Sequence, residues 1–274
     1  MKTHRISKIV ALATLVSGTS YLSAQDSPTA EVDQAAELAK KLANPVASLV
    51  SVPFQANYDF GIGANDAQRF TLNFQPVIPL SISDDWNLIV RTILPFIDAE
   101  SPAPGISSAS GLGDTLQSFF FSPKEPVGGW ILAGGPVFSW PTATDSILGS
   151  EQWGAGPTFL ALKQTGPWTY GALVNHVWSY AGDDSRSEIN NTFLQPFLAY
   201  ITQTKTTLSL NLESSYNWVE EEWTVPVNFM ISQMIKLGSM PAQIFVGGRY
   251  YAEAPSGGPE WGLRAGLTLL FPAN

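Results

Sequence analysis

From Ser48 onward the chain alternates apolar and polar residues, one by one, over unusually long stretches. In SLVSVPFQANYDF, Val50, Val52, Phe54, Ala56, Tyr58 and Phe60 alternate with Ser51, Pro53, Gln55, Asn57 and Asp59. RFTLNFQPVIPLSI and TTLSLNLESSYNW repeat the pattern, so each stretch holds for 11–14 residues. A period of two is the signature of a β-strand with one apolar face. Strands of soluble domains average about five or six residues, whereas tilted membrane-spanning strands need about 9–11. Twelve such strands are read at 48–60, 69–82, 86–98, 111–122, 129–141, 153–165, 168–180, 190–203, 205–218, 222–235, 241–253 and 260–271. Single-chain bacterial outer-membrane barrels have an even strand number. The predicted fold is all-β: an antiparallel transmembrane β-barrel of about 12 strands, with a short N-terminal helix.

The spacing of aromatic residues supports the membrane. Trp86 and Phe96, Trp130 and Trp140, Trp168 and Trp178, and Trp261 and Phe271 are each ten residues apart on an apolar strand face. Ten residues at about 3.3 Å, tilted by about 40°, rise roughly 25 Å, the height of a lipid-facing band. Rings at both edges of that band are the aromatic girdles of such a barrel. Charged residues make up 14% of the chain, against about 25% in soluble domains. After the first residues no run of 18 apolar positions could form a spanning helix.

The ends of the strands are joined asymmetrically. Connections after even strands are short, as at 83–85, 165–167 and 203–204. Most of those after odd strands are longer and acidic, as at 98–110, 142–152, 181–189 and 252–259. Short periplasmic turns and long outer loops give this contrast. Pro53, Pro79, Pro95, Pro136, Pro157, Pro196 and Pro226 fall inside the strands. Each removes a ladder donor, so bulges or register shifts are expected near several of them.

Residues 1–24 read as a secretory signal peptide. Lys2, Arg5 and Lys8 precede the short apolar core IVALATLV, and Ser23-Ala24 offers a cleavage site. Its removal takes the formal net charge from −9 to about −12. A chain that acidic repels phosphates, so nucleic acid is not an expected partner. Residues 25–47 carry a helical period through AEVDQAAELAKKLA and stop at Asn44-Pro45. They form either a short periplasmic helix or a plug in the lumen, and 48–274 form the barrel. The chain has no cysteine, which excludes disulfide scaffolds and thiolate metal sites.

GLGDTLQSFFFSPK (111–124), GGWILAGGPVFSWPTATD (128–145) and WGAGPTFLALKQTGPWTYGALVNHVW (153–178) resemble motifs of a bacterial family assigned to outer-membrane transport. Some of its members carry the label neuromedin U, and the family is similar to barrels of the meta-cleavage pathway of phenol degradation. The resemblance spans nearly all of 44–272. It implies a barrel with a transport role, and it brings no binding residues with it. The final WGLRAGLTLLF also resembles the closing strand of outer-membrane proteins, although Pro272-Ala273-Asn274 follow the terminal Phe271.

Parity places Arg91, Glu213, Arg249 and Arg264 toward the lumen, with Asp59 close to the last two across the barrel closure. These charges form either a cationic spot that favours anions in a narrow, low-dielectric channel, or salt-bridged filling. Gln195, Asn211, Asn57, Asn73, Gln75, Asn87, Asn175 and Asn228 complete a polar lining, and Phe193, Phe197 and Phe245 offer stacking surface. Past the signal there is one histidine, His176, on the lipid-facing parity near the outer edge. Ser179 has the opposite parity, so a serine–histidine hydrolase is the weakest reading and no enzyme is expected. No cofactor motif or metal-ligand spacing occurs, and the acidic loop residues read as a solvated rim. The expected activity is passive uptake of small solutes across the cell outer membrane, aromatic or anionic compounds among them. The alternative is a non-conducting structural or adhesive barrel, plugged by its N-terminal helix. Expected partners are outer-membrane lipid, lipopolysaccharide and the barrel-assembly machinery.

Overall fold

The computed structural model describes residues 28–271. The signal peptide read at 1–24 lies outside the described residues, as do 25–27 and 272–274. One helix, α1 (Pro28–Leu42), precedes fifteen β-segments among the described residues. The first eight are β1 (Val50–Ile62), β2 (Ala67–Phe74), β3 (Val77–Ser81), β4 (Trp86–Ala99), β5 (Ala109–Leu112), β6 (Thr115–Pro123), β7 (Ile131–Trp140) and β8 (Gln152–Thr165). Then come β9 (Trp168–Gly182), β10 (Asn190–Ile201), β11 (Thr206–Leu212), β12 (Ser214–Asn217), β13 (Glu222–Leu237), β14 (Met240–Glu253) and β15 (Trp261–Phe271). Three pairs, β2–β3, β5–β6 and β11–β12, are each one strand interrupted for one or two residues. The fifteen segments therefore make twelve barrel strands.

Every strand pairs antiparallel with its chain neighbours. β15 returns to β1, with Phe271 opposite Val50 and Trp261 opposite Phe60, so the sheet closes and leaves no edge. This closing pair sets the start of β1 and the end of β15 at the end that carries the short turns. Four connections of seven residues or more, 100–108, 141–151, 183–189 and 254–260, lie at the other, against one, 124–130, at the turn end. Strand ends fall within three residues of the sequence reading.

The distribution of side chains is inverted relative to a soluble protein. Trp86, Phe96, Phe159, Trp178, Leu210, Phe229, Val246 and Trp261 are exposed on the outside. Asn57, Asp59, Asn175, Asn211, Asn228, Arg264 and Thr268 are buried within. Burying polar groups while exposing rings would be costly in water and is favourable in lipid. The rings gather at both edges. At the turn end Trp168 packs on Tyr200 at 4.6 Å and Trp130 on Tyr170 at 6.1 Å. At the loop end Phe60 stacks on Trp261 at 4.3 Å, and Trp140 meets Trp153 at 5.5 Å. A closed barrel with an apolar band between two aromatic belts belongs in the outer membrane. No helix among the described residues is long and apolar enough to cross one.

The irregularities of the ladder lie near several of the in-strand prolines, as expected. Pro53, Pro79, Pro95 and Pro196 sit within unbroken registers. Pro226 lies at a register shift, between Val225 and Pro226 on β13, and on the other side of Pro95 the pairing of β4 steps by one residue between Phe96–Leu112 and Ile93–Leu116. Pro136 and Pro157 face each other across β7 and β8. Beside them Gly135 and Gly156 allow the neighbouring strands to close in. A Cβ on these glycines would stand 2.0 Å from the Phe119 carbonyl oxygen and 1.7 Å from that of His176. The interruptions at Gln75-Pro76, Gly113-Asp114 and Glu213 each lie against one of the in-strand prolines: the amides of Gln75, Gly113 and Glu213 donate to the carbonyls of Pro53, Pro95 and Pro226.

α1 starts with Pro28 in its first turn and ends with Lys40 and Lys41, which suit the negative end of the helix dipole. The Asn44 side chain accepts a hydrogen bond from the Val46 amide at 3.0 Å and turns the chain toward β1. Ala39, Val46 and Leu49 are buried. Val46 packs against Ile89, Phe120, Ala133, Leu160, Leu162 and Leu173, which are inward side chains of β4 and β6–β9. The Lys40 carbonyl accepts from Gln164 Nε2 at 2.8 Å. Residues 39–49 thus occupy the turn end of the lumen.

Candidate functional site

The polar side of the lumen is built where three strands bend. β11–β12 is interrupted at Glu213, whose amide donates to the Pro226 carbonyl at 3.1 Å, beside the register shift of β13. β2–β3 is interrupted at Gln75-Pro76. Bends of this kind re-aim side chains. Here Glu213 and Gln75 point into the interior.

Arg264 on β15 meets Glu213 in a two-pronged ion pair, Nη1 to Oε1 and Nη2 to Oε2, both at 2.7 Å. Its Nε donates to Asn57 Oδ1 at 2.7 Å, and the residue is 2% exposed. A guanidinium so enclosed needs every one of these partners. Arg249 on β14 lies 3.4 Å from Asp59 and 3.6 Å from Glu213, with its buried Nε bonded to no protein group. Tyr251 donates its hydroxyl to Asp59 Oδ1 at 3.0 Å, and Arg69 reaches Asp59 Oδ2 at 3.7 Å. Arg91 Nη2 donates to the amide oxygen of Gln75 at 3.0 Å, not to a carboxylate. Asn228 donates to Asn211 Oδ1 at 2.9 Å. Four guanidiniums therefore share one belt with two carboxylates.

This belt lies between open spaces. A central cavity of about 390 Å³ is lined by Arg91, Glu213, Arg264, Gln195 and Asn211, and also by Ile93, Leu116, Leu173, Val177 and Phe193. Above it a vestibule of about 600 Å³ reaches the 255–259 loop and takes in Asp59, Arg69, Arg249 and Tyr251. Below it, spaces of about 200 and 240 Å³ run beside residues 39–49. Neighbouring cavities share walls: Glu213 and Arg264 line the upper two, and Gln195 lines the central and both lower ones.

The seven residues singled out on parity thus divide between two compartments. Arg91, Glu213, Arg264, Gln195 and Asn211 meet the central cavity, while Asp59 and Arg249 meet the vestibule. Sequence reasoning did not single out Arg69, which stands on β2 and pairs with Asp59. It also passed over Tyr251, although Tyr251 shares the parity of Arg249 two positions away. The apolar half of the lumen was missed as well.

His176 stays on the outer face. Its Nδ1 is 2.7 Å from Thr192 Oγ1, which also accepts from Trp218 Nε1 at 2.8 Å. The ring packs on Trp178 at 4.0 Å, with Nε2 enclosed and bonded to no protein group. Ser179 instead bonds the backbone of Ile189. This is an interfacial ring in the aromatic belt, bonded to Thr192 and not to Ser179.

No family model matches the chain, and no curated protein matches it. Among solved structures, an outer membrane channel from Pseudomonas putida F1 is similar. Its TM-score is 0.61 at 17% identity, over 81% of this chain and 94% of that one. What the two share is the fold. Outer membrane phospholipase A of Escherichia coli gives a TM-score of 0.47 at 11% identity, over 80% and 95% of the two chains. The Salmonella typhi outer membrane phospholipase dimer with bound calcium gives 0.46 at 10%, over 81% and 90%. At those scores neither informs the chemistry of this barrel. The resemblance to the transporter family therefore rests on the quoted motifs and on a shared barrel fold.

Proposed function

We propose that the protein is a passive outer-membrane channel for small solutes. One observation carries this reading: the row of wall-sharing cavities from the outer loops to residues 39–49. Twelve strands enclose a bore between the filled eight-stranded barrel and the open porin. Solutes would descend their gradient, because no energy-coupling domain is recognisable in the sequence. The similar channel fold of the Pseudomonas putida protein agrees with this reading. The mature chain in a planar bilayer should give small, discrete current steps, and liposomes carrying it should swell in small sugars or organic acids.

A second reading has its own support. Val46, 4% exposed within the apolar cluster, and the Gln164–Lys40 bond hold the N-terminal segment firmly in the turn-end mouth. The barrel would then be sealed, with a structural or adhesive role. Steady current that arises only after deletion of 25–47 favours the seal. Silence both with and without those residues ends the channel reading.

A further inference from the structure

We propose that the lumen binds small organic monoanions with an apolar body, the charged group met first by Arg249 in the vestibule and then by Arg91 in the central cavity, where the body lies against Leu116, Leu173, Val177 and Phe193. This rests on the channel reading and adds a substrate class to it.

The first argument is charge. Within the belt, Arg264 is used up by Glu213 and Asn57. Asp59 then faces Arg249, Arg69 and the Tyr251 hydroxyl, and Glu213, already bound to Arg264, reaches Arg249 only at 3.6 Å. Arg91 rests on the neutral Gln75. The belt is thus short of two negative charges. Arg249 is nine-tenths buried, its ion pairs are long at 3.4 and 3.6 Å, and its Nε bonds no protein group. A buried guanidinium with a spare donor is a site for an acceptor oxygen, and carboxylates match its planar geometry.

The second argument is shape. The two guanidiniums bracket the Glu213–Arg264 pair, with Arg249 in the vestibule above and Arg91 at the floor of the central cavity. An anion descending the lumen passes from one to the other. The cavity that Arg91 lines also presents Ile93, Leu116, Leu173, Val177 and Phe193 to an apolar body, with uncharged polar side chains such as Ser118 and Asn175 between them. A space of about 390 Å³ holds a molecule of benzoate size with room to move. A solute with charge at one end and hydrocarbon at the other satisfies both kinds of lining at once. A cation would meet surplus guanidinium, and an uncharged ring would leave the arginines unserved.

The test uses the full mature protein in planar bilayers under a salt gradient with 1 M potassium chloride on the concentrated side. There the Debye length is about 3 Å, so the acidic outer rim is screened and the reversal potential reports the buried belt. The expected potential is that of a chloride-preferring pore. Potassium benzoate should reduce the chloride current at concentrations about tenfold below those needed for benzyl alcohol or benzylammonium. R91Q and R249Q should each weaken the benzoate block by about tenfold. Calorimetric titration of benzoate into detergent-solubilised wild type and R91Q gives a reading independent of current, with heat expected from the wild type alone. A cation-preferring pore, equal block by benzylammonium, or benzoate heat unchanged in R91Q overturns the anion site. Silent bilayers with benzoate heat retained in the wild type overturn the channel and leave the site standing.

Discussion

Across the lumen, the wall made by β4 and β6–β9 presents Ile89, Phe120, Leu160, Leu162 and Leu173, while the wall made by β1 and β13–β15 presents Asn57, Asp59, Asn228, Arg249 and Arg264. Both walls are inside the same closed sheet and both are shielded from lipid. They hold together differently. Contacts on the apolar wall are non-directional, so it can take a piece of the chain's own N-terminus, and Val46 fits it without any matched partner. Each group on the polar wall depends on a particular neighbour at a particular distance. Removing one leaves another stranded in a place water reaches poorly. The apolar wall should therefore respond to mutation by degree, and the polar wall by rupture.

The largest expected effect lies on the polar wall. Glu213→Leu removes both short bonds of Arg264, which is 2% exposed, and leaves a buried charge without its counter-ion. A loss of about 3–5 kcal/mol is expected, read as a lower urea midpoint of the reconstituted barrel by tryptophan fluorescence. Adding Arg264→Met should recover most of it, because a pair replaced as a whole costs little. A double variant as unstable as the single one would show that pairing is not what sets this wall apart.

On the outer face the same contrast has a third member. Leu210, 41% exposed near mid-strand and opposite Phe229, faces hydrocarbon. Leu210→Arg should cost about 2–4 kcal/mol by the same urea measurement. Ser209→Arg at the preceding position, turned to the open space beside residues 39–49, should cost much less. Equal costs would mean that the two faces do not differ in solvent. Next in size is Asn228→Leu. Asn228 is fully buried and donates to Asn211, so its loss leaves that amide oxygen unserved at about 1–3 kcal/mol.

How far the sequence disclosed these walls follows from the same physics. β1, β11 and β15 alternate strictly, so their ends and inward residues could be read from parity alone. Asp59, Asn211 and Arg264 stand on the polar side of that alternation. In WNLIVRTILPFIDA the outward Leu88 and Val90 flank the inward Ile89, and Ile93 is inward as well. With both faces apolar the period of two vanishes, and the apolar half of the lumen could not be seen. The interruption at Gly113-Asp114 was equally hidden, because its cause is distant in the chain. Asp114 accepts from Ala143 N, Ser150 N and Ser150 Oγ at 3.2, 2.7 and 2.7 Å, folding the 141–151 loop onto the strand. The N-terminal segment left two placements open for a similar reason. Its helical period shows that it has an apolar face, but not which surface covers that face.

The smallest effect is the most telling for the apolar wall. Leu162 is fully buried in the cluster that receives Val46. Leu162→Met conserves volume and polarity, and an unbranched side chain adapts to irregular space. A cost below about 1.5 kcal/mol is expected, with unitary current steps unchanged. The reason is that no side-chain atom of Leu162 depends on a directional partner, so a side chain of equal volume can fill the same space. If this substitution lowered the urea midpoint as far as Glu213→Leu does, the wall would be a close-packed core rather than the lining of a passage. The docked N-terminal segment would then have to be read as part of the barrel's fixed interior.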